Sequence, residues 1–165
     1  MGLSPNDKSI MFSTDPKEFS QALPSDCRLL GLDVGEKTIG LALSDEKRHV
    51  ASPYNTIMRT KFAKDAETLK RIVAEYKVGG FVIGYPVNMD GSLGPRAQST
   101  RTFAANLGKI ALLPMLLWDE RMTTMAVERT MLEADLSRQR RAELVDKLAA
   151  SYMLQGFLDS MRNVC

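Results

Sequence analysis

Four acidic residues lie at places where a carboxylate needs a partner. Asp33 ends one short apolar run, and the pair Asp119 and Glu120 ends another. Asp146 lies in a stretch whose apolar spacing is typical of a helix. A charged group in apolar surroundings is costly unless it is paired, so each acid either forms an ion pair or binds a cation. Structural roles are also open, because Asp33 could cap a turn and Arg121 could pair with its acidic neighbours.

Asp146 is the most informative of these acids. At helical spacing it shares a face with Ala149, Ala150, Met153 and Phe157. That face is otherwise apolar, and the two alanines leave room for the helix backbone to approach a sheet closely. Because the local sequence supplies no obvious basic partner on this face, cation binding is a serious alternative to a structural ion pair.

The acids come from three distant parts of the chain and are expected to converge at one end of a sheet. Two like charges about 4 Å apart repel by roughly 4 kcal/mol at an effective dielectric constant of about 20, so such a cluster needs protons or a divalent cation. An all-oxygen ligand set with open water positions is typical of Mg²⁺ or Mn²⁺. Two such ions about 3.5–4 Å apart clamp the attacking and leaving oxygens of a phosphodiester displacement. Strand alternation alone does not choose between Asp119 and Glu120.

The order of elements predicts an α/β fold. Apolar runs bounded by turn residues predict five strands, at 29–34, 38–43, 49–57, 81–83 and 112–118. Helical spacing, proline at a helix start and glycine at a helix end predict helices over 62–76, from Pro95 to Gly108, and over about 122–134 and 139–160. Gly79 and Gly80 are expected to end the first of these helices. The sheet is expected to be mixed and five-stranded, with its first three strands antiparallel and the rest parallel, and to be flanked by helices.

The carboxyl ends of the predicted parallel strands are the expected location of a site, as in other open α/β sheets. The segment from Tyr85 to Gly94 leaves one of these ends, is rich in turn formers, and leads into the helix that begins at Pro95. A helix N-terminus favours phosphate binding. Arg96 lies in the first helical turn, where the helix dipole gives a cation no benefit, so Arg96 is either a phosphate contact or a solvated surface residue.

The length of 165 residues fits one domain with a core of its own. Residues 1–26 are polar, contain three prolines and lack periodicity, so they are predicted to form a flexible extension with at most a helical turn near 15–22. A single domain is then expected over 27–165. The longest apolar run, 110–118, is far shorter than the ~20 residues that span a bilayer, and the N-terminus has no signal-peptide pattern.

The reactive residue types narrow the chemistry. A single histidine, His49, nearly excludes a zinc site or a histidine-based triad. Cys27 and Cys165 form neither a disulfide framework nor a metal-binding spacing, and free thiols fit a reducing cytoplasm.

Positive charge is concentrated although the net charge is only +2. Residues 91–118 contain no acid, and Arg138, Arg140 and Arg141 lie within four positions. Positive surface of this kind attracts phosphate, while solvated helix faces are the alternative explanation.

Four segments resemble the motifs of the YqgF/RuvX family. In chain order they are Gly31–Ala42 (GLDVGEKTIGLA), Gly84–Gly94 (GYPVNMDGSLG), Asp119–Thr124 (DERMTT) and Val145–Ala150 (VDKLAA). Together they cover about residues 28–160 in the family's order, and four separate motifs make the match specific. Met122 stands where leucine is commoner in the family. Residues 1–26 lie outside the resemblance.

The resemblance implies a ribonuclease H-like fold and divalent-metal-dependent cleavage of nucleic-acid phosphodiesters. Carried over position by position, the catalytic and metal-binding acids fall on Asp33, Glu120 and Asp146, with Mg²⁺ or Mn²⁺ as the cofactor and Asp33 bridging the ions. The family is assigned to maturation of the 5′ end of pre-16S ribosomal RNA in bacteria, and it was earlier proposed to resolve Holliday junctions. The expected partners are therefore precursor rRNA, with ribosomal precursor particles, or branched DNA. Candidate contacts to substrate phosphates are Lys37, Arg96 and Arg121.

Two other classes of function share part of the pattern. Phosphotransferases and ATPases of the actin and sugar-kinase type also use an Asp-x-Gly hairpin, but they need two such lobes and this chain supplies one. A noncatalytic RNA-binding or ribosome-assembly protein on the same fold stays open. The sequence also leaves open whether the substrate is RNA or a DNA junction. It leaves the oligomeric state open as well, because only an enzyme that cuts two strands symmetrically requires a two-fold dimer.

Overall fold

A computed structural model describes residues 12–88, 90–119 and 138–162, excepting the side chains of residues 12 and 138–147. Several predictions from the sequence fall elsewhere in the chain. They concern the helix over 122–134, Glu120, Arg121, Cys165 and residues 1–11, and they lie outside the described residues. Within the described residues no helix is long and apolar enough to cross a membrane.

The described chain alternates strands and helices. Its strands are β1 (Phe12–Ser13), β2 (Arg28–Val34), β3 (Thr38–Ser44), β4 (Ala51–Met58), β5 (Val78–Tyr85) and β6 (Met115–Asp119). Its helices are α1 (Pro16–Ala22), α2 (Phe62–Tyr76), α3 (Pro95–Ala111) and α4 (Arg138–Arg162).

The strands form one mixed sheet in the order β1-β6-β5-β2-β3-β4. Strands β2, β3 and β4 are antiparallel neighbours, whereas β1, β6, β5 and β2 run parallel. The five predicted strands and their directions are confirmed. The sheet has a sixth strand, the two-residue β1, which the sequence analysis did not predict.

The first described residues belong to this packed unit, and the prediction of a flexible extension is wrong for residues 12–26. Ser13 lies level with Leu116 in the parallel pairing of β1 with β6. Phe19, on α1, is fully buried and packs its ring edge-to-face on Phe157 of α4, with centroids 5.5 Å apart. The sequence gives only a weak signal of this packing, because residues 12–26 are mostly polar and the buried ring contact is made by one residue, Phe19. The predicted helical turn near 15–22 is confirmed as α1.

The glycines predicted to end α2 have a different role. Helix α2 ends at Tyr76, and Lys77 takes the left-handed conformation with φ 54°. Gly79 and Gly80 lie in β5, where α1 and the segment after it pack directly on the strand. A Cβ at Gly79 would lie 2.7 Å from the Cys27 Cβ atom, closer than real Cβ atoms approach, so glycine is what allows this close packing.

Two further boundaries differ from the predictions. Helix α3 continues past Gly108 to Ala111 and ends at Leu112, whose φ is 52° and whose N–H donates to the Gly108 carbonyl over 3.3 Å. Strand β6 consequently begins at Met115 rather than at Leu112. The predicted helix over 139–160 is confirmed as part of α4.

Each face of the sheet carries its own apolar core. Helices α2 and α3 cover one face, here named the first face, with a cluster that includes Leu30, Leu32 and Val34 of β2. Helices α1 and α4 cover the other face, named the second face, with a cluster that includes Leu29. Because side chains alternate along a strand, the side chain of Asp33 lies on the second face, toward α4.

Candidate active site

The carboxyl ends of β2, β5 and β6 meet at one edge of the sheet. Leu32 lies level with Ile83, Ile83 with Leu117, and Tyr85 with Asp119. Asp33, the last residue but one of β2, and Asp119, the last residue of β6, therefore lie at the same edge, where the sequence predicts a site.

Asp33 has the features of a ligand-binding carboxylate. It is half-buried and sits opposite Gly40 of β3, which has no side chain to cover it. Among the described residues, nothing forms a hydrogen bond or an ion pair with its carboxylate. A half-buried anion without a protein partner is costly, so the site favours a cation.

Helix α4 approaches β2 most closely beside Asp33. A Cβ at Gly31 would lie 3.1 Å from the Leu154 Cβ atom and 3.3 Å from the Ala150 carbonyl oxygen. The close approach expected from the alanines of α4 is thus observed at Ala150.

The direction of α4 brings position 146 toward Asp33. Gln155, near the other end of the helix, accepts a hydrogen bond from the Ala51 N–H over 2.8 Å, at the end of the sheet where β2 begins. The earlier turns of α4 therefore run toward the carboxyl end of β2. Position 146 is one turn before Ala150, a rise of about 6 Å. Asp33 is two residues beyond Gly31, about 6.6 Å further along the strand.

Replacing Gly31 by alanine is expected to push α4 away from the sheet. The added methyl group forces a shift of a few tenths of an ångström, and overpacking of this kind costs about 1–3 kcal/mol. Urea unfolding measures this loss of stability. The matched control is Gly108→Ala in α3, where the new Cβ would meet nothing closer than the Met115 Cε atom at 3.5 Å. Gly108→Ala should be neutral or stabilise by up to about 1 kcal/mol, and equal stabilities for the two variants would contradict the prediction.

Asp119 lies on the other face from Asp33. Met115 and Leu117 of β6 belong to the first-face cluster, and Leu116 belongs to the second-face cluster. Alternation along β6 therefore assigns Asp119 to the first face. Two acids on opposite faces of a sheet do not share one ion through their first ligand shell.

The remaining candidate acids are not tested by the described residues. Glu120 lies outside them, and for Asp146 only the helical backbone is described. Within the part of the chain that the structure describes, no group of three histidine, cysteine or acidic residues is placed to hold a metal ion.

The loop before α3 is held by its own hydrogen bonds. The Asp90 carboxylate accepts from the Ser92 N–H over 2.9 Å and from the Ser92 hydroxyl over 2.6 Å. Asn88 and Ser92 also bond through their backbones over 3.0 Å, and Gly91 takes φ 90°. The turn-forming residues predicted for this segment thus fix the start of α3 at the strand ends.

Two of the three predicted phosphate contacts lie near this edge. Lys37 is exposed in the turn between β2 and β3, and Arg96 is exposed in the first turn of α3. Arg96 lines a cavity together with Val34 and Gly35, the two residues after Asp33. Arg121 lies outside the described residues.

Sequence reasoning missed Arg59. This half-buried residue follows β4 and donates a hydrogen bond from its guanidinium to the Gly35 carbonyl over 2.7 Å. Its guanidinium carbon also lies 5.6 Å from the centre of the Phe103 ring, a cation–π distance. No local pattern could have identified Arg59, because both partners are far away in sequence.

Comparison with known proteins agrees with this architecture. The family model RuvX, described as Holliday junction resolvase, matches residues 27–160. The chain belongs to the RuvX family. The resemblance found in the sequence motifs is thereby confirmed.

Relatives within the RuvX family match nearly the whole chain. A protein of Paramagnetospirillum magneticum is 59% identical over 145 residues, which cover 88% of this chain and 94% of that protein. A protein of Rhodobacter capsulatus is 58% identical over 147 residues, covering 89% and 92% respectively. Both carry the name "Putative pre-16S rRNA nuclease".

A solved structure supports the fold independently. RuvC of T. thermophilus, in complex with a Holliday junction substrate, superposes with a TM-score of 0.50 at 12% identity. The match covers 82% of this chain and 96% of the RuvC chain. The predicted ribonuclease H-like fold is confirmed.

Proposed function

We propose that this RuvX-family protein is a divalent-metal-dependent endonuclease that acts in the cytoplasm on the 5′ end of pre-16S rRNA. The observation that carries the proposal is Asp33: a half-buried carboxylate, unpaired among the described residues, at the carboxyl end of β2 and on the face covered by α4. The names of the two relatives, at 58–59% identity, support the substrate.

The donor atoms fit a hard divalent cation. Carboxylate oxygens are preferred by Mg²⁺ and Mn²⁺, and Asp33 supplies two of them beside a strand end. We assign the ion to Asp33, Glu120 and Asp146. When bound, it would supply Lewis-acid stabilisation of the charge that develops on the phosphate oxygens.

The geometry of β6 supports Glu120 over Asp119. Asp119 is assigned to the first face, whereas Asp33 lies on the second face, so Asp119 is poorly placed to share an ion with Asp33. The direction of α4 supports Asp146 as the third ligand, because the earlier turns of this helix run toward the carboxyl end of β2.

The basic residues at this edge are proposed to hold the substrate backbone. Lys37 and Arg96 flank the strand end that carries Asp33, and Arg121 follows directly after Glu120 in sequence. Cations placed there would neutralise phosphates on either side of the cleaved bond. Hydrolysis is proposed to leave a 5′-phosphate and a 3′-hydroxyl.

Resolution of four-way DNA junctions is the second candidate function. The description of the family model favours it. It differs from the first candidate only in substrate, so the same carboxylates would be required.

One experiment separates the candidates. A pre-16S 5′-leader RNA and a synthetic four-way DNA junction are incubated side by side with Mg²⁺, Mn²⁺ or EDTA. The wild type is compared with Asp146→Asn and with the control Asp159→Asn. Asp159 is an exposed acid near the other end of α4, paired with Arg162 at 3.1 Å.

We expect metal-dependent cutting of the RNA that disappears in Asp146→Asn and persists in Asp159→Asn. Preferential cutting of the junction would move the function to the second candidate. If well-folded wild type bound RNA and cut neither substrate with either metal, the protein would be an RNA-binding or assembly factor and the nuclease proposal would fail.

A further inference from the structure

A polar cavity of about 190 Å³ lies on the first face of the sheet, beside the turn that follows Asp33. Its lining combines the end of β2 with the first turns of α3 and with Arg59. The lining residues are Val34, Gly35, Glu36, Arg59, Arg96, Ser99 and Thr100. We name it the Arg59 cavity.

Arg59 is a positioned cation that has no anionic partner among the described residues. The Gly35 carbonyl and the Phe103 ring hold its guanidinium. Within the described residues no carboxylate lies within salt-bridge distance of it. A guanidinium can donate five hydrogen bonds and matches the geometry of a phosphate group. The half-buried Arg59 guanidinium uses one of these donors on the Gly35 carbonyl, so its remaining N–H groups favour an anion.

Thr100 supplies an independent observation. It is only 2% exposed, yet it lines the cavity. A threonine in a helix commonly bonds to the carbonyl four residues earlier, as Thr102 does to Gln98 over 3.1 Å. The Thr100 hydroxyl makes no such bond and has no partner among the described residues. The hydroxyl is therefore available as a hydrogen-bond donor to a ligand in the cavity that Thr100 lines.

The start of α3 adds to the positive character of the cavity. Helix α3 has 17 residues, and its N-cap residue, Gly94, provides no side-chain hydrogen bond to the first N–H groups. Helix N-termini favour anions. Glu36 is the acidic residue in the lining, and it is exposed, so solvent screens its charge more than that of half-buried Arg59.

We infer that the Arg59 cavity binds a phosphate group of the nucleic-acid backbone. This subsite is distinct from the Asp33 site, because the two lie on opposite faces of the sheet. Only one residue separates Asp33 from Gly35, so a substrate backbone that crosses the β2–β3 turn can reach both sites. The inference rests on the proposed function only in taking nucleic acid as the substrate.

Fluorescence anisotropy tests the inference without catalysis. A labelled single-stranded RNA is titrated in EDTA at several salt concentrations with the wild type, Arg96→Gln and Thr100→Val. The control is Lys109→Gln, an exposed cation in the last turn of α3 that does not line the cavity. Thermal unfolding of each variant verifies that it is folded.

Arg96→Gln is expected to weaken binding about tenfold and to reduce the slope of log affinity against log salt by about 1. Thr100→Val is expected to weaken binding about fivefold, the effect of one neutral hydrogen bond, with an unchanged slope. Lys109→Gln should change affinity less than twofold.

Three results would overturn the inference. The first is an equal loss in Arg96→Gln and Lys109→Gln, and the second is unchanged RNA affinity in folded Thr100→Val. The third is saturation of the cavity by inorganic phosphate, abolished by Thr100→Val, that leaves the RNA affinity of the wild type unchanged, since the cavity would then bind free phosphate and not the RNA backbone. Asp33→Asn in the same titration separates the two proposals: wild-type RNA affinity in this variant leaves the subsite standing, whatever the separate cleavage assay shows for the nuclease proposal.

Discussion

Asp33→Asn is expected to lower cleavage by at least about a hundredfold while leaving the protein folded. Loss of a residue that only supports a metal ligand typically costs about 10–100-fold, and Asp33 is proposed to contact the ion itself. The substitution keeps the shape of the side chain and breaks no hydrogen bond among the described residues, so stability should be nearly unchanged. Cleavage rates in Mg²⁺ and Mn²⁺, together with calorimetric titration of Mn²⁺, measure both effects.

A second aspartate of the β2–β4 region serves as the control. Asp45 lies just beyond β3, where its carboxylate accepts hydrogen bonds from the N–H groups of His49 and Val50 over 2.7 and 2.9 Å. Asp45→Asn should retain the wild-type cleavage rate and Mn²⁺ affinity. Full activity in Asp33→Asn, or an equal loss in both variants, would remove Asp33 from the metal site.

Phe19→Ala is expected to have the largest effect on stability of the variants considered. Deleting a fully buried phenylalanine costs about 3–5 kcal/mol, and Phe19 is 0% exposed, with its ring against Phe157 and beside Gly80. For a chain of this length each kcal/mol lowers the melting temperature by roughly 2–4 °C. Urea unfolding and a thermal melt measure the loss.

The neighbouring exposed residue Gln21 gives a control on the same helix. Gln21→Ala should change stability by less than about 0.5 kcal/mol, because it removes no buried contact. If Phe19→Ala were as stable as Gln21→Ala, α1 would contribute nothing to the folded domain and the flexible extension expected from sequence would be the better description.

Periodicity predicted the elements well where one face of an element is apolar. The spacing of Phe62, Ala66, Leu69, Val73 and Tyr76 gave the exact bounds of α2. Glycine was a poorer guide to helix ends. The residues that end α2 and α3 in left-handed conformations are a lysine and a leucine, whereas Gly79 and Gly80 serve close packing. A glycine can end a helix or allow a neighbouring element to pack closely against the backbone, and the local sequence does not distinguish these two roles.

The candidate site was partly predictable for a similar reason. Asp33 stands out because an acid in an apolar strand needs a partner. The face of Asp119 depends on the pairing register of β6, which only the three-dimensional structure provides. Arg59 and Thr100 gain their significance from contacts across the fold, and no local pattern marks them.

The pairing of β1 with β6 has a consequence for synthesis of the chain on the ribosome. Ser13 pairs beside Leu116, and Phe157 follows Phe19 by 138 residues. At about 5–20 residues per second, the first strand waits several seconds for its partner to be made. The covering helix α4, which includes position 146, is translated after every strand of the described sheet. The face of the sheet that carries Asp33 therefore stays without its covering helix until all the described strands have been made.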